Sequence, residues 1–275
     1  MSFLRINESN CKKDGICAAE CPMALIRLRK DTGYPGLVPG GDKACIGCGH
    51  CVAVCPNGSL SHWDIQREDC VRIKRELMVN EEQAVQFLRS RRSIRAFKDR
   101  PVEEEKIKRL IETARYAPTG GNSQLVEWWV LTDKNKLHEI AGMAVECFRR
   151  DIKEKPQLLA LQPYLATTVK AWETGRDTIL WNAPALVVAS APKNASTGMV
   201  DLCIALSYLD LLAPTMGLGT CWAGMLQYAI TSSPVFKDFV GIPADHPQLF
   251  PMVLGYPKAK YYQLPSRKPP KITFG

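Results

Sequence analysis

Four cysteines fall within eleven residues, as Cys45-x2-Cys48-x2-Cys51-x3-Cys55, and Pro56 follows the last. Thiolates two residues apart can clasp one iron-sulfur cubane, and the fourth, ahead of proline, is set to reach a different one. A zinc site would separate two cysteine pairs by a dozen residues or more, so this run favours a cluster over a single tetrahedral ion. A second run lies upstream, Cys11-x5-Cys17-x3-Cys21 with Pro22 behind it. Laid on the first, it lacks one thiolate, and the position that would carry it is Asp14. A carboxylate is a harder ligand than a thiolate and holds iron more loosely. Two outcomes stay open there: a 4Fe-4S cluster ligated by Asp14, or a 3Fe-4S cluster with Asp14 idle in a solvated turn.

Together the two runs resemble a two-cluster, bacterial-type ferredoxin domain over about the first 60 residues. The resemblance implies a pseudo-twofold βαββαβ fold with crossed ligation. One cluster would take Cys45, Cys48, Cys51 and Cys21, and the other Cys11, Cys17, Cys55 and the site of Asp14. The remaining cysteines, Cys70, Cys147, Cys203 and Cys221, read most simply as small core residues rather than redox groups.

Four more motifs follow in order, each weak alone. They are Ser90-Arg91-Arg92-Ser93-Ile94-Arg95-Ala96-Phe97, then Ala117 to Gln124, then the glycine-rich run Met216 to Gly224, and last Gly255-Tyr256-Pro257 with Pro265 to Pro269. In this combination the chain resembles the FMN-dependent nitroreductase family over about residues 82–270. That resemblance implies an α/β nitroreductase fold, an obligate homodimer and two FMN sites at its interface. Arg91, Arg92, Ser93 and Arg95 would line the flavin's phosphate, ribityl chain and pyrimidine edge. A phosphate wants guanidinium and hydroxyl donors, and a fixed cation stabilises negative charge near N1. Pro118, Thr119, Gly120, Asn122 and Gln124 would come from the partner subunit. Gly224 and Met225 would offer backbone donors near N5 and O4, and Arg267 would pair with the phosphate. The segment 151–181 would cap the substrate, with Tyr164, Trp172 and Trp181 as candidates for stacking it. No catalytic acid, base or nucleophile is assigned.

The elements that must position these groups are legible in outline. At 275 residues the chain has length for about two domains. We expect an α+β protein with an iron-sulfur domain over 1–65, a linker over 66–80 and the flavin domain over 81–275. Asn80 with Gln83 reads as a helix cap, and a helix is expected over 102–116, ended by Gly120 and Gly121. Residues 126–132, 185–189 and 250–254 read as strands, with Trp128 and Trp129 in the core, and 199–216 as a helix apolar almost all round. Residues 66–79 carry a mixed-charge helical pattern.

The net charge of +8 is scattered and no nucleic-acid motif accompanies it, so no nucleic-acid partner is expected. No apolar run reaches the length of a membrane span and the start lacks a signal peptide, which points to the cytoplasm. No dinucleotide fingerprint or Walker loop occurs, so NAD(P)H would have to bind directly over the flavin. The expected activity is transfer of electrons through two clusters and FMN to a small-molecule acceptor, a nitroaromatic, a quinone or a similar conjugated compound, with a ferredoxin-type protein as donor. Reductive dehalogenation or ene reduction on the same fold, and a redox sensor without a dedicated substrate, are the alternatives.

Overall fold

The computed structural model describes residues 3–275, apart from the side chain of Leu158. It divides into two compact units, one running to Met78 and including Gly121–Ser123, the other formed by the rest.

The first unit carries β1 (Leu4–Ile6), α1 (Ile16–Ala19), β2 (Ile26–Leu28), β3 (Pro35–Leu37), α2 (Gly41–Ala44), α3 (His50–Ala53) and β4 (Leu60–His62). This is the expected βαββαβ order with one added helical turn, α2. Strands β1 and β4 pair antiparallel with Leu4 opposite His62, and β2 pairs with β3. The halves repeat: α1 and α3 each start behind a left-handed glycine, Gly15 (φ 74°) and Gly49 (φ 71°), a conformation costly for any residue with a Cβ. Each glycine is followed two residues later by a cysteine, Cys17 and Cys51. So small a unit buries little, chiefly Cys17, Ile26, Val52 and Leu60. Residues 66–79 form only two 3-10 turns, Arg67–Asp69 and Arg75–Leu77, rather than the helix their charge pattern suggested. Their apolar side chains Val71, Ile73 and Leu77 are exposed and give a helix no face to bury.

The second unit is a four-stranded antiparallel sheet between helical layers. Its elements are α4 (Glu81–Ser90), α5 (Glu104–Ala114), β5 (Glu127–Leu131), α6 (Lys134–Glu154), α7 (Leu158–Leu161), α8 (Tyr164–Glu173), β6 (Ala185–Ala191), α9 (Gly198–Leu212), β7 (Gly219–Trp222), α10 (Gly224–Ser232), α11 (Val235–Val240) and β8 (Gln248–Gly255). The strand order is β5-β6-β8-β7. Strand β6 is buried along its whole length and alternates with period two. Leu186 and Val188 enter a core shared with Phe148 and Leu226, while Ala185, Val187 and Ala189 enter one shared with Leu206 and Leu110.

Helix α4 opens with the expected capping box: Asn80 accepts from the Gln83 amide, and the Gln83 side chain accepts from that of Asn80. Helix α5 stops at Ala114, short of Gly120 and Gly121, which form a separate 3-10 turn with Asn122. Strand β7, inside the glycine-rich run, was not anticipated, because glycine disfavours a strand until its neighbours supply the pairing. The segment Gly198–Met216 does have the length and composition of a membrane span, contrary to the expectation that none would. Here Leu202, Leu206 and Leu209 pack into the core instead.

Candidate functional site

Two voids in the first unit divide the cysteine runs between them. Cys11, Asp14, Cys17 and Cys55 line one. Cys21, Cys45, Cys48 and Cys51 line the other, together with His50 and His62. This is the grouping that crossed ligation requires. Among the described residues no three His, Cys, Asp or Glu side chains converge tightly enough for a single ion.

Backbone amides point at the sulfurs in both halves. The Leu25 amide donates to Cys21 Sγ and the Ser59 amide to Cys55 Sγ, each at 3.3 Å and each four residues beyond its cysteine. Ser59 Oγ lies 3.1 Å from Cys55 Sγ as well. Burial raises the Cys55 thiol, but the hydrogen bonds from Ser59 and the amides of Asn57 and Gly58 outweigh it and hold the group below its usual value. Cys51 is pushed up to about 11 by burial, and Cys48, Cys21 and Cys45 beside it add to the rise. So many crowded thiolates need a cationic centre to become stable, and iron supplies one. The donor set fits two clusters.

Asp14 lines the first void while its carboxylate accepts from the Ile16 amide at 3.2 Å, at the start of α1. The group therefore has a local partner to fall back on. Mild oxidation of anaerobically prepared protein should convert one cluster only to a 3Fe-4S species, seen by electron paramagnetic resonance. Asp14→Cys should suppress that conversion, and equal decay of both clusters in the parent would refute the asymmetry.

In the second unit, α4 ends at Ser90 and the chain runs on beside β7, where Ser93 pairs with Thr220 and the Ile94 amide donates to the Thr220 carbonyl at 2.8 Å. A buried carboxylate on α9, Asp210, fixes this junction. It lies 3.5 Å from Arg91 Nη1, accepts from Trp222 Nε1 at 3.3 Å and accepts from the Thr220 hydroxyl. Arg91 and Arg92 then line a groove with Arg89, Ser266, Arg267 and Lys268, and among the described residues no carboxylate enters it. Arg92 Nε is buried there without a partner. Such a concentration of cations around an unused guanidinium N–H fits a phosphate. Arg95 lies over the Trp181 ring, 5.8 Å from its centroid.

Gly224 and Met225 open α10, whose N-cap Ala223 supplies no side-chain hydrogen bond. The first amides of a helix have no intrahelical acceptor, and no atom lies within 4 Å of where a Gly224 Cβ would sit. Backbone donors and open space beside Gly224 coincide at that point.

Residues 118–124 are held elsewhere. Asp201, at the opposite end of α9 from Asp210, accepts from the Gly120 amide at 3.1 Å and from Thr197 Oγ1 at 3.0 Å. A side chain on Gly120 would strike Thr197 Oγ1, at 2.1 Å, so this glycine is required by its own chain as well as by any ligand. Gln124 donates its amide to Thr119 Oγ1 at 3.1 Å. Asn122, within the first unit, donates its side-chain amide to the carbonyls of Ile46 and Gly47 at 3.1 and 3.0 Å. Eight residues separate Asp201 from Asp210 in the stretch 199–216 that the sequence presents as a helix apolar almost all round. Asp201 and Asp210 were passed over in the sequence, although two carboxylates in an apolar helix are a signal that each has a buried partner.

Residues 88–256, over half the chain, match the sequence model of the nitroreductase family. The chain belongs to the nitroreductase family. Residues 9–60 match the 4Fe-4S dicluster domain. A relative in Archaeoglobus fulgidus, provisionally named an NADH dehydrogenase/NAD(P)H nitroreductase, is 24% identical over 182 residues, which is 64% of this chain and 87% of that protein. A nitroreductase of Bacteroides fragilis, solved with bound FMN, superposes with a TM-score of 0.57 at 21% identity, covering 71% of this chain and 99% of its own. Another, from Desulfitobacterium hafniense and also with bound FMN, gives 0.56 at 22% identity, covering 72% and 99%.

Within this nitroreductase unit the remaining candidates separate. Burial pushes the Cys221 thiol up despite Arg95 and Ser93 nearby, which marks a packed thiol rather than an activated one. Cys147 is buried too and Cys203 is half-buried, while Cys70, which belongs to the first unit, is exposed and so is not a core residue. Trp128 and Trp129 are half-buried beside the two cores, and Trp129 Nε1 donates to the Gly241 carbonyl at 3.1 Å. Trp172 stacks on His138, with ring centroids 4.8 Å apart, while Tyr164 is exposed. In the 151–181 segment the buried Asp151 accepts from Tyr228 Oη at 2.9 Å, and burial together with that carboxylate pushes Tyr228 up to about 12.

Proposed function

We infer that the chain is an iron-sulfur flavoprotein oxidoreductase that passes single electrons through two clusters to FMN and on to a conjugated acceptor such as a nitroaromatic or a quinone. The observation that carries this reading is the division of eight candidate ligands between two voids, in a chain whose other unit has a groove in which every charged lining residue is a cation. In this reading Cys21, Cys45, Cys48 and Cys51 hold a 4Fe-4S cluster. Cys11, Cys17 and Cys55 hold the other, as a 3Fe-4S species or as 4Fe-4S with Asp14. Arg91, Arg92 and Arg267 grip the FMN phosphate, Ser93 and Arg95 flank the ribityl chain and pyrimidine edge, and Gly224 and Met225 offer backbone amides to the ring. Residues 118–124 complete the site from a partner subunit.

Bound, the cofactors supply one-electron relay by the clusters and two-electron delivery by FMN. The protein's part is positioning and charge. Asp210 holds the Arg91 guanidinium through their ion pair, and a guanidinium at Arg95 favours extra negative charge on a neighbouring ring. A homodimer is supported by apolar side chains left uncovered: α4 buries none of its residues, and Leu88, Tyr262, Ile272 and Phe274 are exposed. The eleven cysteines are all free, which suits a reducing cytoplasm. NAD(P)H stays a second possible reductant, stacking on the flavin without a domain of its own.

Anaerobic purification should yield FMN with about seven or eight sulfide-linked irons per chain. Turnover with both a nitroaromatic and a quinone should follow. A protein holding FMN and clusters that reduces no acceptor would instead support the sensor.

A further inference from the structure

His62 ends β4 and is buried, 3% exposed. Its ring meets Phe3 edge-on, with centroids 4.5 Å apart. Two contacts fix its chemistry. The Asp64 amide donates to Nδ1 at 3.1 Å, so Nδ1 is an acceptor and carries no proton. The ring is then neutral with its single N–H on Nε2, and Nε2 lies 3.6 Å from Cys45 Sγ. Sulfur's large radius makes that the length of a hydrogen bond. His62 also lines the void of Cys21, Cys45, Cys48 and Cys51 and not the other.

The internal repeat shows what is particular about this contact. His62 stands seven residues beyond Cys55, and seven beyond Cys21 stands Leu28, which has no donor. The amide bonds to sulfur are matched in the two halves at 3.3 Å. The imidazole is therefore an addition to one half.

We propose that His62 is a tuning residue that raises the reduction potential of one cluster alone, the one read above as held by Cys21, Cys45, Cys48 and Cys51, through an Nε2–H bond to Cys45 Sγ. On reduction one electron enters from a one-electron donor such as dithionite, no bond breaks, and the proton stays on Nε2. The added negative charge spreads over the sulfurs, so a donor at Cys45 favours the reduced form. The proposal rests on that ligand assignment.

The test is an anaerobic redox titration of the full-length protein, following each cluster by electron paramagnetic resonance, in the parent, His62→Leu and His62→Gln. In His62→Leu one cluster should have its reduced-to-oxidised ratio at the parent midpoint fall roughly threefold to tenfold, tenfold being about 59 mV for one electron. The other cluster should not move, and Gln, which keeps an N–H donor, should recover part of the shift. Unmoved potentials, or equal shifts in both clusters, overturn the role of His62 while leaving the clusters in place. Should His62→Leu fail to assemble, the parent labelled with 15N-histidine carries the test. One nitrogen should couple weakly to one reduced cluster in pulsed measurements, and that coupling should persist in His50→Gln, His50 being the other imidazole that lines this void; no coupling, or coupling lost with His50, overturns the proposal. A parent without sulfide-linked iron overturns the ligand assignment itself, and this proposal with it.

Discussion

Arg92→Ala combined with Arg267→Ala should release FMN while leaving the visible spectrum of the clusters intact. Both side chains line the same groove, and Arg92 Nε is buried there with nothing to bond. Neither takes part in an ion pair among the described residues, so their removal strands no carboxylate. A charge-assisted contact to a phosphate contributes about 1.5 to 3 kcal/mol, so two together should weaken binding by roughly 100-fold to 10,000-fold. Arg91 is a less clean target: its loss would leave the buried Asp210 with only the Thr220 hydroxyl and Trp222 Nε1. Fluorescence titration of apoprotein with FMN measures the effect. Full flavin retention in the double variant would show that the groove binds something other than the FMN phosphate.

How much of this was legible in the sequence depended on whether the signal is local. Spacing of cysteines is local, and so the two runs and the odd position of Asp14 can be read from residues alone, whereas their crossed ligation is what the resemblance implies. The capping box at Asn80 and Gln83 is local as well, and the structure contains it. Contacts made across the fold leave no such trace. His62 is seventeen residues from Cys45, and Asp210 meets an arginine more than a hundred residues away. Strand β7 was hidden for a related reason: Gly219, Thr220, Cys221 and Trp222 become a strand by pairing with the far end of the chain, residues 252–255. The helical pattern at 66–79 misled in the other direction, because charge alternation alone cannot stabilise a helix that has nothing to pack against.

Electron entry offers the sharpest separation of outcomes. A low-potential one-electron donor such as reduced ferredoxin should support turnover better than NAD(P)H, and Cys45→Ala with Cys51→Ala should abolish that route specifically. The two cysteines line one void. Their loss removes one cluster's ligands while the groove of Arg91, Arg92 and Arg267 keeps its composition. Direct hydride transfer from NAD(P)H needs only the flavin, so whatever rate it supports in the parent should persist in the variant. Anaerobic stopped-flow, following cluster bleaching and flavin reduction separately, distinguishes the two entrances. With the one-electron donor, clusters should bleach before the flavin in the parent, and the flavin should stay oxidised in the variant. If instead NADH reduces the flavin at full rate in both proteins and the one-electron donor fails in the parent, electrons do not enter through the first unit. Its clusters would then serve as an exit for electrons or as a sensor of their own oxidation, and the asymmetric ligand Asp14 would be the part that responds.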